Sequence, residues 1–200
     1  MGLGKQSKIL TKKQIETMLL YLGSTRHPLR NRVIFLLSVK SGFRSKEISG
    51  VKWSMMVSPT GELGESIHLT NDVSKGKSGG RIIPIHKELK KLLVELYEVE
   101  QSRYGLDVQT SYVVRTERSP NTSSQSIINM FQIWYRDLGF VGCSSHSGRR
   151  TFITDLSKKV SLVGGSLRDI QVMVGHKNLQ TTQRYIEVDT DCQRKMVNLI

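Results

Sequence analysis

The sequence predicts an α+β protein that is mostly α-helical, with a small antiparallel β-sheet in the middle of the chain. Apolar residues recur at three- and four-residue steps in the first quarter and again from residue 87 onward, which is the period of an amphipathic helix. Between these parts lie three short β-prone stretches, "VKWSMMV", "SIHLT" and "RIIPI", separated by loops rich in Gly and Ser. At 200 residues and 38% hydrophobic content, the chain is long enough for one domain with a substantial core.

The first quarter is predicted to contain two helices and a helical turn. Thr11 can cap a first helix, which Gly23 ends. A second helix follows Pro28 and runs through "VIFLLSV" to the next Ser-Gly pair. The residues "FRSKEISG" then form a short helical turn that closes at Gly50.

The three β-prone stretches are predicted to pair as a sheet. Pro84 has no backbone N–H to donate, so the third strand is expected to lie at an edge or to end early. Helical periodicity returns in "KELKKLLVELYEVEQSRYG" and "SSQSIINMFQIWYRDLG", and then in segments near residues 146–160, 166–175 and 179–188.

An excess of positive charge predicts a polyanionic partner. Lys and Arg number 30 against 17 Asp and Glu, a net charge of +13, and residues 1–50 hold ten of these cations against two of the anions. Such an excess favours nucleic acid, although a solvated lysine-rich surface gives the same count. No apolar run reaches the roughly 18 residues of a membrane span. Cys143 and Cys192 show no metal-ligand spacing, so a reducing cytoplasm is the expected compartment.

The stretch "SSHSGRRTF" places candidate ligand-binding side chains at the start of a helix. If Ser144 or Ser145 caps that helix, His146 and Arg149 lie about one turn apart on one face, and Arg150 fits the same face nearly as well. Helix N-termini favour anions, and a guanidinium can hold a phosphate bidentately. The spacing alone does not choose between the two arginines.

Two further stretches carry basic side chains at turns, where they could contact a bound ligand. Arg44 follows a Gly turn between apolar neighbours, and Glu47, three residues later, could orient it. Lys75 and Lys77 lie in the turn "SKGKSGG", from which either could reach a ligand and deliver a proton. Taken alone, Arg44 with Glu47 is equally typical of a structural ion pair, and the two lysines are more typical of a solvated turn.

His176 and Tyr185 are nine residues apart, which would place them on opposite faces of one continuous helix. However, Gly175 is typical of a helix end, and Asn178 can cap a new helix. The chain is therefore expected to turn and to begin a new helix at Leu179. After such a turn, the histidine and the tyrosine can converge on one site.

Taken in order, "SGFRSKEI", "SKGKSGGRIIPI", "HSGRRTF" and "VGHKNLQTTQRYIEV" resemble the motifs of the tyrosine recombinase (phage integrase) family over about residues 8–188. Those motifs are an arginine after a Gly turn, a lysine in a β-hairpin, His-x-x-Arg opening a helix, and Gly-His followed by the nucleophilic tyrosine. The resemblance implies the catalytic fold of that family. It favours Lys75 over Lys77 and Arg149 over Arg150, and it implies a catalytic set of Arg44, Lys75, His146, Arg149, His176 and Tyr185.

The same resemblance implies site-specific recombination, in which DNA is cleaved and rejoined through a 3′-phosphotyrosyl intermediate to give integration, excision or inversion. It makes Tyr185 the nucleophile, the two arginines a phosphate clamp and Lys75 the general acid. No cofactor is expected, because the intermediate conserves bond energy, and no carboxylate cluster in the sequence offers a metal site. The alternatives are a type IB topoisomerase-like enzyme and a DNA-binding protein without catalysis.

The resemblance also carries expectations about domains and partners. Family members usually have an N-terminal DNA-clamping domain, whereas the motifs here begin almost at once. We expect one catalytic domain over residues 1–200 without a core-binding domain, either a natural single-domain recombinase or part of a longer one, with residues 189–200 as a subunit-docking tail. The expected partners are double-stranded DNA, further copies in a homo-tetramer on DNA, and accessory DNA-bending proteins. In the absence of DNA we expect a monomer or weak oligomer. The expected location is the cytoplasm, in association with the nucleoid, with no membrane partner. The expected origin is a bacterium, a phage or a mobile element.

Overall fold

The computed structural model describes residues 6–74, 80–185, 194, 197 and 198. Their helices are α1 (Lys12–Gly23), α2 (Pro28–Ser41), α3 (Ser45–Gly50), α4 (Lys87–Tyr104), α5 (Ser124–Asp137), α6 (Ser147–Lys159), α7 (Leu167–Val174) and α8 (Leu179–Gln183). The strands are β1 (Ser66–Leu69) and β2 (Arg81–Pro84), and short 3-10 turns cover Trp53–Met55 and Val160–Val163. The predicted fold class, mostly α-helical with a small antiparallel sheet, is confirmed.

Local sequence signals set several helix ends where they were expected. The Thr11 hydroxyl accepts a hydrogen bond from the Gln14 N–H (3.2 Å), and the Gln14 side chain accepts one from the Thr11 N–H (2.9 Å), so α1 starts with a capping box. α2 starts at Pro28 and ends before Gly42, whose φ of 66° lies in the left-handed region. Gly175 ends α7 in the same way, with a φ of 66°. The predicted turn before α8 is therefore present.

The start of α6 differs from the expectation. His146, rather than Ser144 or Ser145, immediately precedes the helix. Ser144 and Ser147 stabilise the turn before the helix through their hydroxyl groups. The Ser147 hydroxyl accepts a hydrogen bond from the Ser144 N–H (2.9 Å), and the Ser144 hydroxyl accepts one from the His146 N–H (3.2 Å). His146 consequently lies just outside α6, and Arg149 lies in its first turn.

The prediction of a third strand was wrong for the described part of the chain. β1 and β2 pair antiparallel, with Ile67 opposite Ile83, and β2 ends at Pro84 as expected. The stretch "VKWSMMV" instead forms the 3-10 turn Trp53–Met55 and makes only isolated bridges to other segments. Residues 55–57 are all buried in succession, whereas a strand of this small sheet buries every second residue.

α2 is the central helix of the fold. Its residues 33–39 are all buried, and it packs against α1, α4 and α6. A second, smaller apolar cluster joins Ile153 of α6 to Ile170 and Val174 of α7, and the ring of Tyr185 packs against it. The C-terminal ends of α2 and α7 and the N-terminal end of α6 therefore meet in one region, where the candidate site residues lie.

Candidate active site

Five of the six residues in the predicted catalytic set line one cleft with a volume of about 380 Å³. They are Arg44, His146, Arg149, His176 and Tyr185, and the lining is completed by Gln6, Ser7, Arg150, Thr181 and Arg184. No carboxylate is among these described lining residues. The predicted lysines, Lys75 and Lys77, lie outside the described residues.

Arg149 is held by the ends of two helices. Its side chain is buried, with 4% of the residue exposed. Nη1 donates to the carbonyl of Gly42, just after α2, and Nη2 donates to the carbonyl of Val174, the last residue of α7 (2.8 Å). Burial, together with the neighbouring charge of Arg44, lowers the pKa of Arg149 to about 9, so the guanidinium is still cationic at pH 7. Its remaining N–H groups can serve a ligand.

Arg44 is oriented by Glu47, as the sequence suggested. The backbone N–H of Arg44 donates to Glu47 Oε2 (2.7 Å), and Nη1 donates to Oε1 (2.9 Å). Burial raises the pKa of Glu47, but hydrogen bonds and charge from Arg81, and then from Arg44, lower that pKa by more. Glu47 is thus a buried anion that fixes Arg44 beside the cleft.

Arg81 was missed by the sequence analysis. It is the first residue of β2, and its Nη1 and Nη2 donate to Glu47 Oε1 (2.9 Å) and Oε2 (3.0 Å), while Nε donates to the carbonyl of Met173 (2.9 Å). A signal was present in "RIIPI": strand alternation places Arg81 on the same face as Ile83, and an arginine on a buried face requires partners.

His176 and Tyr185 converge as predicted. Their rings stack with centroids 5.5 Å apart and planes 22° apart. The hydroxyl of Thr182 lies 3.0 Å from His176 Nδ1, and the carbonyl of Thr182 accepts from the Tyr185 N–H (3.0 Å). Thr182 is fully buried and was not identified from the sequence, although it lies one helical turn before the tyrosine.

Both histidines of the cleft favour their neutral form. Burial, followed by the charges of Arg149 and Arg44, lowers the pKa of His176 to about 4. The same three causes, in the same order, lower the pKa of His146. Near pH 7 each imidazole can therefore act as both a hydrogen-bond donor and an acceptor.

Within the described ranges, no three His, Cys, Asp or Glu side chains are grouped so that they could hold a metal ion. None of the helices in these ranges has the length and hydropathy to cross a bilayer.

The curated proteins with similar sequences include several tyrosine recombinases. A tyrosine recombinase XerC from Chlamydia pneumoniae is 28% identical over 189 residues, which is 93% of this chain and 56% of that protein. A tyrosine recombinase XerA from Thermococcus kodakarensis is 27% identical over 190 residues, which is 94% of this chain and 61% of that protein. The chain therefore spans between half and two thirds of the length of each of these relatives.

Solved structures share the fold. The crystal structure of XerA recombinase superposes with a TM-score of 0.71 at 23% identity, over 96% of this chain and 64% of that one. A Tn1549 transposon integrase in complex with circular intermediate DNA gives a TM-score of 0.74 at 15% identity, over 98% and 66% of the two chains. The fold is thus that of the catalytic domains of tyrosine recombinases. The profile of the phage integrase family matches residues 8–191, and this chain belongs to that family.

Proposed function

We propose that this chain is a site-specific DNA recombinase that cleaves and rejoins strands through a 3′-phosphotyrosyl intermediate. One observation carries the proposal: a tyrosine, two histidines and two arginines converge on a cleft whose described lining has no carboxylate. These groups are suited to cleaving a phosphodiester, because the arginines can bind its anionic oxygens and the tyrosine can attack its phosphorus. The names of the relatives as tyrosine recombinases, and the DNA in several similar structures, support double-stranded DNA as the substrate.

The two arginines would stabilise the charge that develops on the phosphate. Arg149 is fastened by backbone carbonyls and Arg44 by Glu47, so neither needs to reorganise when the substrate binds. Each can direct further N–H groups to non-bridging oxygens as the phosphorus becomes five-coordinate. Loss of one such preorganised donor typically slows a reaction by about 10²–10³.

One histidine would accept the proton of the tyrosine hydroxyl, and the other would donate a hydrogen bond to the phosphate. A phenol has a pKa near 10 in water, so attack at neutral pH requires a proton acceptor. The neutral His146 can accept or relay that proton. In the tautomer in which His176 Nδ1 accepts from Thr182, Nε2 carries a hydrogen and can donate to a phosphate oxygen.

The chemical steps balance without a cofactor. The Tyr185 oxygen forms a bond to phosphorus while the bond from phosphorus to the 5′ oxygen breaks, and a lysine supplies the proton to that oxygen. We assign this role to Lys75, with Lys77 as the alternative, on the family resemblance. Rejoining reverses the steps when a 5′ hydroxyl of the same or another strand attacks the phosphotyrosyl bond.

We extend the proposal to assembly. Strand exchange between two DNA sites needs more than one active site, so we propose a homo-tetramer on DNA and a monomer or weak oligomer in its absence. The tail at residues 189–200 would dock on a neighbouring subunit. Most of this tail lies outside the described residues, but Val197, which is described, exposes 68% of its surface.

A suicide-substrate experiment tests the chemistry. Duplexes with a random core and a nick just 3′ of the scissile position release the short 5′-hydroxyl fragment, so a covalent adduct accumulates. We expect a denaturation-resistant protein–DNA adduct from the wild type and none from Tyr185→Phe. Tyr104→Phe, at a tyrosine that is 53% exposed and does not line the cleft, is the matched control and should form the adduct normally.

Other outcomes separate the alternatives. An adduct that persists in Tyr185→Phe would exclude this tyrosine as the nucleophile. DNA binding without any adduct would indicate a DNA-binding protein without catalysis. Relaxation of supercoiled plasmid with no recombinant product would indicate topoisomerase-like activity.

A further inference from the structure

We infer that Arg81 is a positioning residue of this site, which holds Arg44 and the backbone leading to His176 in register through one buried ion network. Arg81 does not line the cleft, so it would act only through other residues. The inference deepens the proposed function and rests on it.

The first arm of the network runs through Glu47 to Arg44. Glu47 Oε1 accepts from Nη1 of both arginines, and Oε2 accepts from Arg81 Nη2 and from the backbone N–H of Arg44. The guanidinium of Arg81 thus donates one hydrogen bond to each carboxylate oxygen of Glu47. This bidentate geometry fixes the rotation of the carboxylate. The orientation of Arg44 follows from it.

The second arm reaches the turn that carries His176. Arg81 Nε donates to the carbonyl of Met173, three residues before the histidine. The guanidinium also packs closely against this turn, because a Cβ added at Gly175 would lie 3.2 Å from Arg81 Nη1. Arg81 therefore joins two elements that are far apart in sequence, α3 through Glu47 and the last turn of α7 through Met173, close to the cleft.

The chemistry of the side chain argues for positioning rather than simple core filling. A buried Arg–Glu pair is a poor way to gain stability, because desolvation offsets most of the attraction and apolar side chains of similar volume often serve as well. A planar fork that binds two targets at once does, however, define their relative geometry. Lysine offers a single nitrogen and cannot hold the carboxylate bidentately while bonding to Met173.

The test measures how Arg81 and Arg44 depend on each other. In single-turnover assays with the suicide duplex, we expect Arg81→Lys to slow adduct formation about 10- to 100-fold, less than the loss of a direct donor. In an Arg44→Ala background, the same substitution should slow it by less than about tenfold, since the arm through Arg44 is gone and only the arm to the turn of His176 remains. Equal effects in both backgrounds, or no effect in either, would overturn the inference.

Two controls separate positioning from folding. Arg115→Lys changes another partly buried arginine, which pairs with Glu100 (3.4 Å) away from the cleft, and should leave the adduct rate unchanged. If Arg81→Lys does not fold, Arg81→Gln combined with Glu47→Gln leaves no lone buried charge. This double variant should show the same slow adduct formation, and a wild-type rate would overturn the inference.

An NMR measurement on the free protein separates this inference from the proposed function. The side-chain Nε–H signal of Arg44 and the ring nitrogen signals of His176 should shift in Arg81→Lys and stay in place in Arg115→Lys. If the wild type forms no adduct, the recombinase proposal fails, and these signals still decide the role of Arg81. Unchanged Arg44 and His176 signals would rule that role out.

Discussion

His176 shows how burial sets the chemistry of a single residue in this cleft. An unperturbed histidine has a pKa of about 6.5, whereas burial and the adjacent arginines lower that of His176 to about 4. Between these two values the unfolded chain binds a proton at this histidine and the folded chain does not. The free energy of unfolding must therefore decrease as the pH falls from 6.5 to 4.

The resulting prediction concerns acid stability. The contribution of His176 amounts to about 3 kcal/mol across that pH range, at 1.36 kcal/mol per unit of pKa. Urea unfolding at pH 7 and pH 4.5 should show a smaller loss of stability in His176→Gln than in the wild type. His68→Gln, at an exposed histidine of β1, is the control and should lose as much stability as the wild type. An identical loss in His176→Gln and wild type would contradict the lowered pKa.

At the residue scale, the sequence predicted that five of the six catalytic candidates meet and that Glu47 orients Arg44, but not the contacts that hold Arg149. Arg149 and Arg150 both line the cleft, and only the resemblance chose between them, because they are adjacent in one helical turn. Their environments differ: Arg149 bonds to two helix ends, whereas Arg150 Nη1 donates to the carbonyl of Ser7 (2.9 Å). These contacts join residues between 25 and 143 positions apart in the sequence, so they leave no local pattern.

At the scale of elements, the site depends on how closely α6 approaches α2. Gly148 lies between His146 and Arg149, and a Cβ built there would come 2.3 Å from Ser38 Oγ and 2.9 Å from Ser38 Cβ. A helical Gly→Ala change normally gains up to about 1 kcal/mol. Overpacking of a tight interface costs about 1–3 kcal/mol and moves the backbone.

We predict that Gly148→Ala lowers the free energy of unfolding by about 1–2 kcal/mol and slows adduct formation, since Arg149 moves with α6. The Ser38 hydroxyl has no hydrogen-bond partner among the described residues, so Ser38→Gly makes space without losing a bond. In that background Gly148→Ala should be neutral or stabilising in urea unfolding. If it remains equally destabilising, close packing is not the reason for the glycine.

Several helix ends that are set by local chemistry were predicted well, although α6 begins after His146 rather than after Ser144 or Ser145. The stretch whose structure depends on distant packing was predicted wrongly. The cap at Thr11 and the glycines after α2 and α7 act within a few residues of the helix they end. The stretch "VKWSMMV" has β-prone residues, but its conformation is set by packing in a core that buries Trp53 and the two methionines together. Sequence period alone does not report that core.

At the scale of the whole molecule, arginines of the first quarter lie at both ends of α2. Arg44 reaches the cleft just beyond its C-terminal end, whereas Arg26 and Arg30 lie at its N-terminal end, about 20 Å away along 14 residues. Arg26 pairs there with Glu117 (2.9 Å), and Arg30 donates to the carbonyl of Arg115 (3.2 Å). Net charge predicted a polyanionic partner without indicating which cations would face it.

Deleting residues 190–200 should abolish the tetrameric protein–DNA complex in sedimentation experiments, because it removes the apolar end of the chain. The rate of adduct formation on a single duplex should stay within about twofold of the wild type, since all ten described residues that line the cleft precede the deletion.

A pair of point variants refines this experiment. Val197→Asp places a charge at an exposed apolar side chain and should weaken the tetramer, whereas the neighbouring Asn198→Asp adds the same charge at a polar position and should not. A tetramer that forms normally after the deletion would exclude the tail from subunit docking.

The fastening of Arg149 to the carbonyls of Gly42 and Val174 has an energetic consequence for the empty protein. Folding holds this cation in place beside Arg44, and burial, followed by repulsion from Arg44, lowers the pKa of Arg149. An arriving phosphate relieves that repulsion. Binding of the proposed DNA substrate and resistance to unfolding are therefore thermodynamically coupled, because a bound phosphate offsets the charge that the folded protein concentrates in the cleft.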